Sequence, residues 1–206
     1  MEFSVPMALV DFIPVALFLA GAILLQQDLY PHMSKGAFSL FSAGTINIFC
    51  AGALKATYKL LYALQICNFE KLNAMFFPVQ SIGFLLAGLG MVLYLCKPRK
   101  RIRAVAAAPA VFSGTFLFVG LMVAGLAMID AVLIVLAKRQ RQWGAIVCLA
   151  VSFLCCLCMG YLSSQNFAQA SMNWLAEGIN IIGQGAFLTA AVSLHRSGLR
   201  DHGATN

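Results

Sequence analysis

AVAAAPAVFSGTFLFVGLMVAGLAMIDAVLIVLA, residues Ala104–Ala137, is an apolar run whose only charge is Asp130. As one straight helix it would reach about 51 Å at 1.5 Å per residue, well past a bilayer core of about 30 Å. As two helices it gives short spans of about 16 residues around an apolar turn near Val119-Gly120. Whether this stretch counts once or twice decides between six and seven crossings. It also decides which side of the membrane everything after it reaches.

The rest of the chain leaves no doubt about the class. Of 206 residues, 61% are hydrophobic and only 10% charged, against about 25% charged in soluble domains. Such a chain lacks the charge to cover a soluble surface, so an all-α polytopic membrane protein is expected, a single helical domain over 1–206 in the plasma membrane. Helices are expected at about 5–26, 37–64, 69–96, 102–118, 120–137, 143–162 and 168–194, with six as the alternative to seven.

Loop charges favour seven. That count gathers Lys35, the Lys97–Arg103 cluster, Lys138, Arg139, Arg141, Arg196 and Arg200 on one side, leaving Lys55, Lys59 and Lys71 on the other. This is the asymmetry of the positive-inside rule, with the N-terminus outside and the C-terminus cytoplasmic. Seven helices also place Asp11, Lys55, Glu70, Asn73 and Glu177 in one half of the membrane, where intramembrane charges find partners. Six would separate Glu177 from Lys55.

The net charge of +7 therefore reads as topology and contact with membrane lipid. Nucleic-acid binding is not expected, because the basic clusters sit between apolar runs rather than on a soluble face.

The polar residues that remain inside spans form stripes. In the last helix Asn166, Gln169, Asn173, Glu177, Asn180 and Gln184 recur every three or four residues, within roughly 80° of one face. Phe167, Leu175, Ile179, Ile182 and Phe187 are expected on the opposite face. Lipid cannot cover amides and a carboxylate, so other helices or water must.

In the second helix Asn47, Lys55, Tyr58, Tyr62 and Gln65 share a face, with Lys59 just off it. Snorkelling to the interface would account for the two lysines, as would burial against a carboxylate. In the third, Glu70, Asn73 and Gln80 share a face around Pro78. In the first, Asp11 and Pro14 lie one turn apart, a pattern that suits a helix break lining a cavity or a simple kink near headgroup water. The candidate solute-binding set is Glu177, Asn173, Asn180, Gln184, Asn47, Lys55, Tyr58, Tyr62, Asn73, Gln80 and Asp11.

A faint internal echo accompanies these stripes. Gly36-Ala37, Cys50, Gly52 and Leu54 match Gly144-Ala145, Cys158, Gly160 and Leu162. Two three-helix units joined by a linker helix would produce it, in parallel orientation. The arrangement resembles three-plus-one-plus-three transporters and seven-helix sensors in architecture, with no motif matching either residue by residue.

Other chemistry finds little support. The seven cysteines lie in or at the ends of apolar runs, and an odd number there argues against a disulfide framework. Cys155, Cys156 and Cys158 point in different directions around a helix and lack a nearby His or Asp, so no metal site is expected. His32, His195 and His202 lie outside the deep spans; no cofactor and no catalytic residue is assigned. Gly88-Leu89-Gly90 follows no strand and is no phosphate loop.

The favoured reading is a small-solute transporter or permeation protein. A ligand-sensing or accessory subunit acting through a partner is the second, and a lipid-modifying enzyme using Asp11, Asp130 or Glu177 the third. Gly120 and Ala124 offer a small-residue face for self-association.

Overall fold

The computed structural model describes residues 4–96, 115–162 and 170–202. They form α1 (Val5–Val10), α2 (Phe12–Leu29), α3 (Lys35–Ala63), α4 (Glu70–Cys96), α5 (Thr115–Arg139), α6 (Trp143–Leu162), α7 (Ala170–Arg196) and α8 (Leu199–His202). With α1 and α2 taken together, six of these described segments are long and apolar enough to cross a membrane. The all-α polytopic fold expected from composition is what the chain adopts.

Local chemistry sets the helix limits. Ser4 and Ser34 cap α1 and α3, their hydroxyls accepting from Met7 N at 3.4 Å and Ala37 N at 3.3 Å. Gln65 and Arg141, each at φ 56°, close α3 and α5 in the left-handed conformation. The amides that follow them return to Leu61 O at 3.1 Å and Ala137 O at 2.8 Å, satisfying carbonyls a helix end would otherwise leave bare. Pro14 has no N–H to offer Val10, so the first span is broken at Asp11 rather than continuous.

Several expected boundaries move. The first span runs on to Leu29, past the expected end at 26, and takes in Asp28. There Gln26 Nε2 donates to Thr45 Oγ1 at 2.6 Å. Asp28, fully buried, meets His195 Nδ1 at 2.9 Å. His195 belongs to α7 rather than to a polar tail, and Leu199 of α8 is fully buried.

The turn expected near Val119-Gly120 is overturned. α5 passes through both residues without interruption. An apolar turn there would have exposed backbone groups with nothing to pair them, which a continuous helix avoids. Residues 102–114 of the helix expected at 102–118 lie outside the described residues.

Helix directions nevertheless follow the odd-crossing arrangement. Along the α4–α5 contact, a Cβ on Gly125 would meet Phe84 O at 2.5 Å, and one on Gly88 would meet Met128 Cβ at 3.0 Å. Positions rise together, so the two helices are parallel. The end of α4 and the start of α5 therefore sit at opposite ends of the bundle. α2 and α7 are parallel as well: Gly21 packs on Phe187, while Asp28 reaches His195 further along.

The six long segments close into a ring in the order α2, α3, α4, α5, α6, α7 and back to α2. Within α2–α3–α4 and within α5–α6–α7 neighbours run antiparallel. The two parallel contacts, α4 with α5 and α7 with α2, join one trio to the other. That is the pattern of a parallel two-unit repeat, and the echoing pairs occupy matching places. Ala37 and Ala145 are both buried, and Gly52 and Gly160 both line the interior of the ring.

Small residues draw the helices together. A Cβ on Gly83 would lie 2.9 Å from Gly44 O, so α3 and α4 touch backbone to backbone. Without a hydrophobic drive between helices in lipid, such close packing supplies much of the association. Exposed Tyr30 and Trp143 mark one end of the bundle and exposed Tyr161 and Trp174 the other, as aromatic belts at two membrane interfaces would.

Candidate functional site

Inside the ring is a cavity of about 380 Å³, lined by side chains from every one of its six long segments. Its polar end is built where α1 gives way to α2. The break at Asp11 sets that carboxylate, 7% exposed, against the ring interior beside Pro14. α3 delivers Lys59, also 7% exposed, and α7 delivers Glu177, 5% exposed.

Lys59 Nζ donates to Glu177 Oε1 at 2.6 Å and lies 2.9 Å from Asp11 Oδ2. The first contact is a charge-assisted hydrogen bond; the second is an ion pair without hydrogen-bond alignment. One ammonium thus holds two carboxylates from different helices. A lone charge in this interior would cost several kcal/mol, roughly the scale of an unpaired buried ion. The three groups are in place because they are together.

The α7 stripe faces inward as its spacing requires. Asn173, Glu177, Asn180 and Gln184 line the cavity, and Leu175 and Ile182 face outward. Ile179 and Phe187, expected on the outer face, also line it. They flank the stripe closely enough that a ring of six helices reaches them. Asn166, Gln169 and Phe167 lie outside the described residues.

Lys55 stands one helical turn before Lys59 on the same wall. Its Nζ sits 4.0 Å from the centroid of the Phe76 ring, a cation–π contact. Asn73, exposed at the rim, and Gln80 complete the polar lining from α4. Gln80 Oε1 and Glu177 Oε2 are both buried without a hydrogen-bond partner. Toward the other end the walls are Phe18, Phe41, Phe84, Met122 and Leu126, with Thr45 and Ser152 as small polar interruptions.

Comparison with protein-family models, curated proteins and solved structures returns no match for this chain.

Eight of the residues singled out by sequence therefore meet at one cavity: Asp11, Lys55, Asn73, Gln80, Asn173, Glu177, Asn180 and Gln184. Asn47, Tyr58 and Tyr62 do not join them. Asn47 is half-buried away from the cavity. Tyr58 turns to the α3–α4 connection, donating to Asn68 Oδ1 at 3.2 Å, and Asn68 Nδ2 donates on to Glu70 Oε1. Tyr62 packs its ring against that of Tyr58.

Lys59 is the residue the stripe undervalued. Its four-residue spacing from Lys55 puts the two on one helix face, which was the available signal. The aromatic walls carried no such mark, because phenylalanine in a membrane helix reads as lipid-facing until a ring of helices encloses it. Among the described residues no cluster of His, Cys, Asp and Glu is arranged to hold a metal ion.

Proposed function

We propose that this protein moves a small polar solute across the membrane, as a transporter or permeation protein. The observation that supports this most is the Asp11–Lys59–Glu177 cluster on the wall of the cavity inside the ring. Interhelical polar contacts in bilayers contribute about 0.6 kcal/mol on average. Locking a bundle does not call for three buried charges in a cavity lined by five amides. A site that must receive a polar solute, and shield it from lipid, does.

The two-unit ring also suits this reading. In parallel-repeat transporters the substrate site lies between the units, and access alternates as one unit rocks against the other. Here α4–α5 and α7–α2 are the seams between units, and the cavity lies between them. The N-terminus is proposed to face outward and the C-terminus the cytoplasm. Lys35, Lys138, Arg139, Arg141, Arg196 and Arg200 gather at the end where α7 finishes, which favours that orientation.

Uptake into proteoliposomes is the test, with panels of labelled amino acids, polyamines, sugars and nucleosides. At least one panel is expected to enter faster than into empty vesicles, and Glu177→Gln is expected to slow or abolish that entry. If no panel enters faster, the transport reading fails. Binding without entry would instead favour a ligand sensor.

A further inference from the structure

Charge bookkeeping around the cavity narrows the solute. Two carboxylates, Asp11 and Glu177, and two ammoniums, Lys55 and Lys59, line it. The lining is neutral as a whole, but its charges are not all paired in contact. Lys59 serves both carboxylates, so with both ionised the Asp11–Lys59–Glu177 cluster carries one negative charge in excess. Lys55 forms no ion pair among the described residues; its contact is the face of the Phe76 ring.

The unsatisfied atoms have the same polarity. Glu177 Oε2 and Gln80 Oε1 are buried acceptors with no donor. An ammonium group brought into the cavity would supply the missing donors and the missing positive charge. The remaining Lys55 ammonium calls for an anion. Lys55 stands one turn from Lys59, their Cβ atoms about 5–6 Å apart, which puts the positive pole within a small molecule's length of the cluster.

Net charge decides between a simple cation and a molecule with both poles. A cation would leave Lys55 unpaired and add net charge to a low-dielectric interior. A zwitterion satisfies both poles and leaves the cavity neutral. Beyond the poles the walls are apolar, with Phe18, Phe41, Phe84 and Leu126, so the body of the molecule should be apolar too.

We propose that the cavity binds small zwitterions with an ammonium group, a carboxylate and an apolar side chain, the ammonium held at Glu177 and Gln80 and the carboxylate at Lys55. This rests on the reading of the cavity as a solute site, but binding can be tested apart from transport.

The full-length protein in nanodiscs is titrated calorimetrically with L-leucine and L-phenylalanine. The matched amines, isopentylamine and phenethylamine, and the matched acids, 4-methylpentanoate and 3-phenylpropionate, are titrated alongside. At least one of the two zwitterions is expected to bind about tenfold tighter than both of its partial analogues, a difference of about 1.4 kcal/mol. Lys55→Met should abolish the preference for that zwitterion over its amine, and Lys55→Arg should retain it. Should Lys55→Met not fold, Glu177→Gln should bring the zwitterion down to the level of its acid.

Amines binding as tightly as zwitterions, acids binding best, or no binding by any of the six overturns the proposal. Entry of sugars or nucleosides in the uptake assay, without zwitterion binding, would leave transport standing and remove this solute class.

Discussion

Lys59 of α3 and Glu177 of α7 lie 118 residues apart in the chain and 2.6 Å apart in space, Nζ to Oε1. Both are buried, and Asp11 completes the cluster at 2.9 Å from the same ammonium. The contact ties the first three-helix unit to the last helix of the second. It also requires α2 and α7 to run in the same direction.

Removing the shared cation should therefore cost more than removing either acid. Lys59→Met leaves two carboxylates facing each other in an apolar interior, with an expected loss of about 3–5 kcal/mol. Asp11→Asn leaves the Lys59–Glu177 pair intact and should cost less than half as much. Unfolding curves in mixed micelles give both values. A Lys59→Met protein as stable as the parent would mean that the cluster does not hold these helices.

The close helix contacts make a second, contrasting pair. Gly83→Ala puts a methyl 2.9 Å from Gly44 O and from Ile48 Cγ1, forcing α3 and α4 apart at an expected cost of about 1–3 kcal/mol. Gly120→Ala meets nothing within 4 Å and lies inside α5, so stability should stay within about 1 kcal/mol of the parent. The same unfolding measurement separates them. A strong effect at Gly120 would point back to a turn there.

Sequence made the class, the stripes and the odd-crossing directions legible because each follows from local chemistry. Charge-poor runs require lipid, amides at helical spacing require a covered face, and clustered lysines and arginines mark a side. The α7 stripe could be read in this way residue by residue from Asn173 to Gln184. What escaped was set by the neighbours. Lys59 rather than Lys55 bridges the acids because it lies at the level where Asp11 of the first span and Glu177 of α7 meet. Asp28 is buried because His195 of α7 arrives beside it. Val119-Gly120 stays helical because a turn inside an apolar run would leave backbone groups unpaired, a constraint that hydropathy does not encode.

Asp130 gives a third prediction. It is 4% exposed on α5, and neither carboxylate oxygen has a hydrogen-bond partner. An unsatisfied buried polar group weakens a fold by about 1–3 kcal/mol, so Asp130→Leu should unfold later than the parent. It does not line the cavity, so solute binding should be unchanged. A less stable Asp130→Leu protein would reveal a partner for this carboxylate.

The parallel course of α4 and α5 can be checked from outside the bundle. In a background with the seven native cysteines replaced, single cysteines at Tyr30, Ile66, Arg139 and Tyr161 sit at exposed positions near helix ends. If spans simply alternated through six crossings, Ile66 and Arg139 would share a side. With α4 and α5 parallel, Ile66 shares its side with Tyr161, and Arg139 shares the other with Tyr30. A membrane-impermeant maleimide applied to sealed, oriented vesicles should label one of these pairs and spare the other. Labelling of Ile66 together with Arg139 would contradict the helix directions, and with them the gathering of Asp11, Lys59 and Glu177 at one level of the membrane.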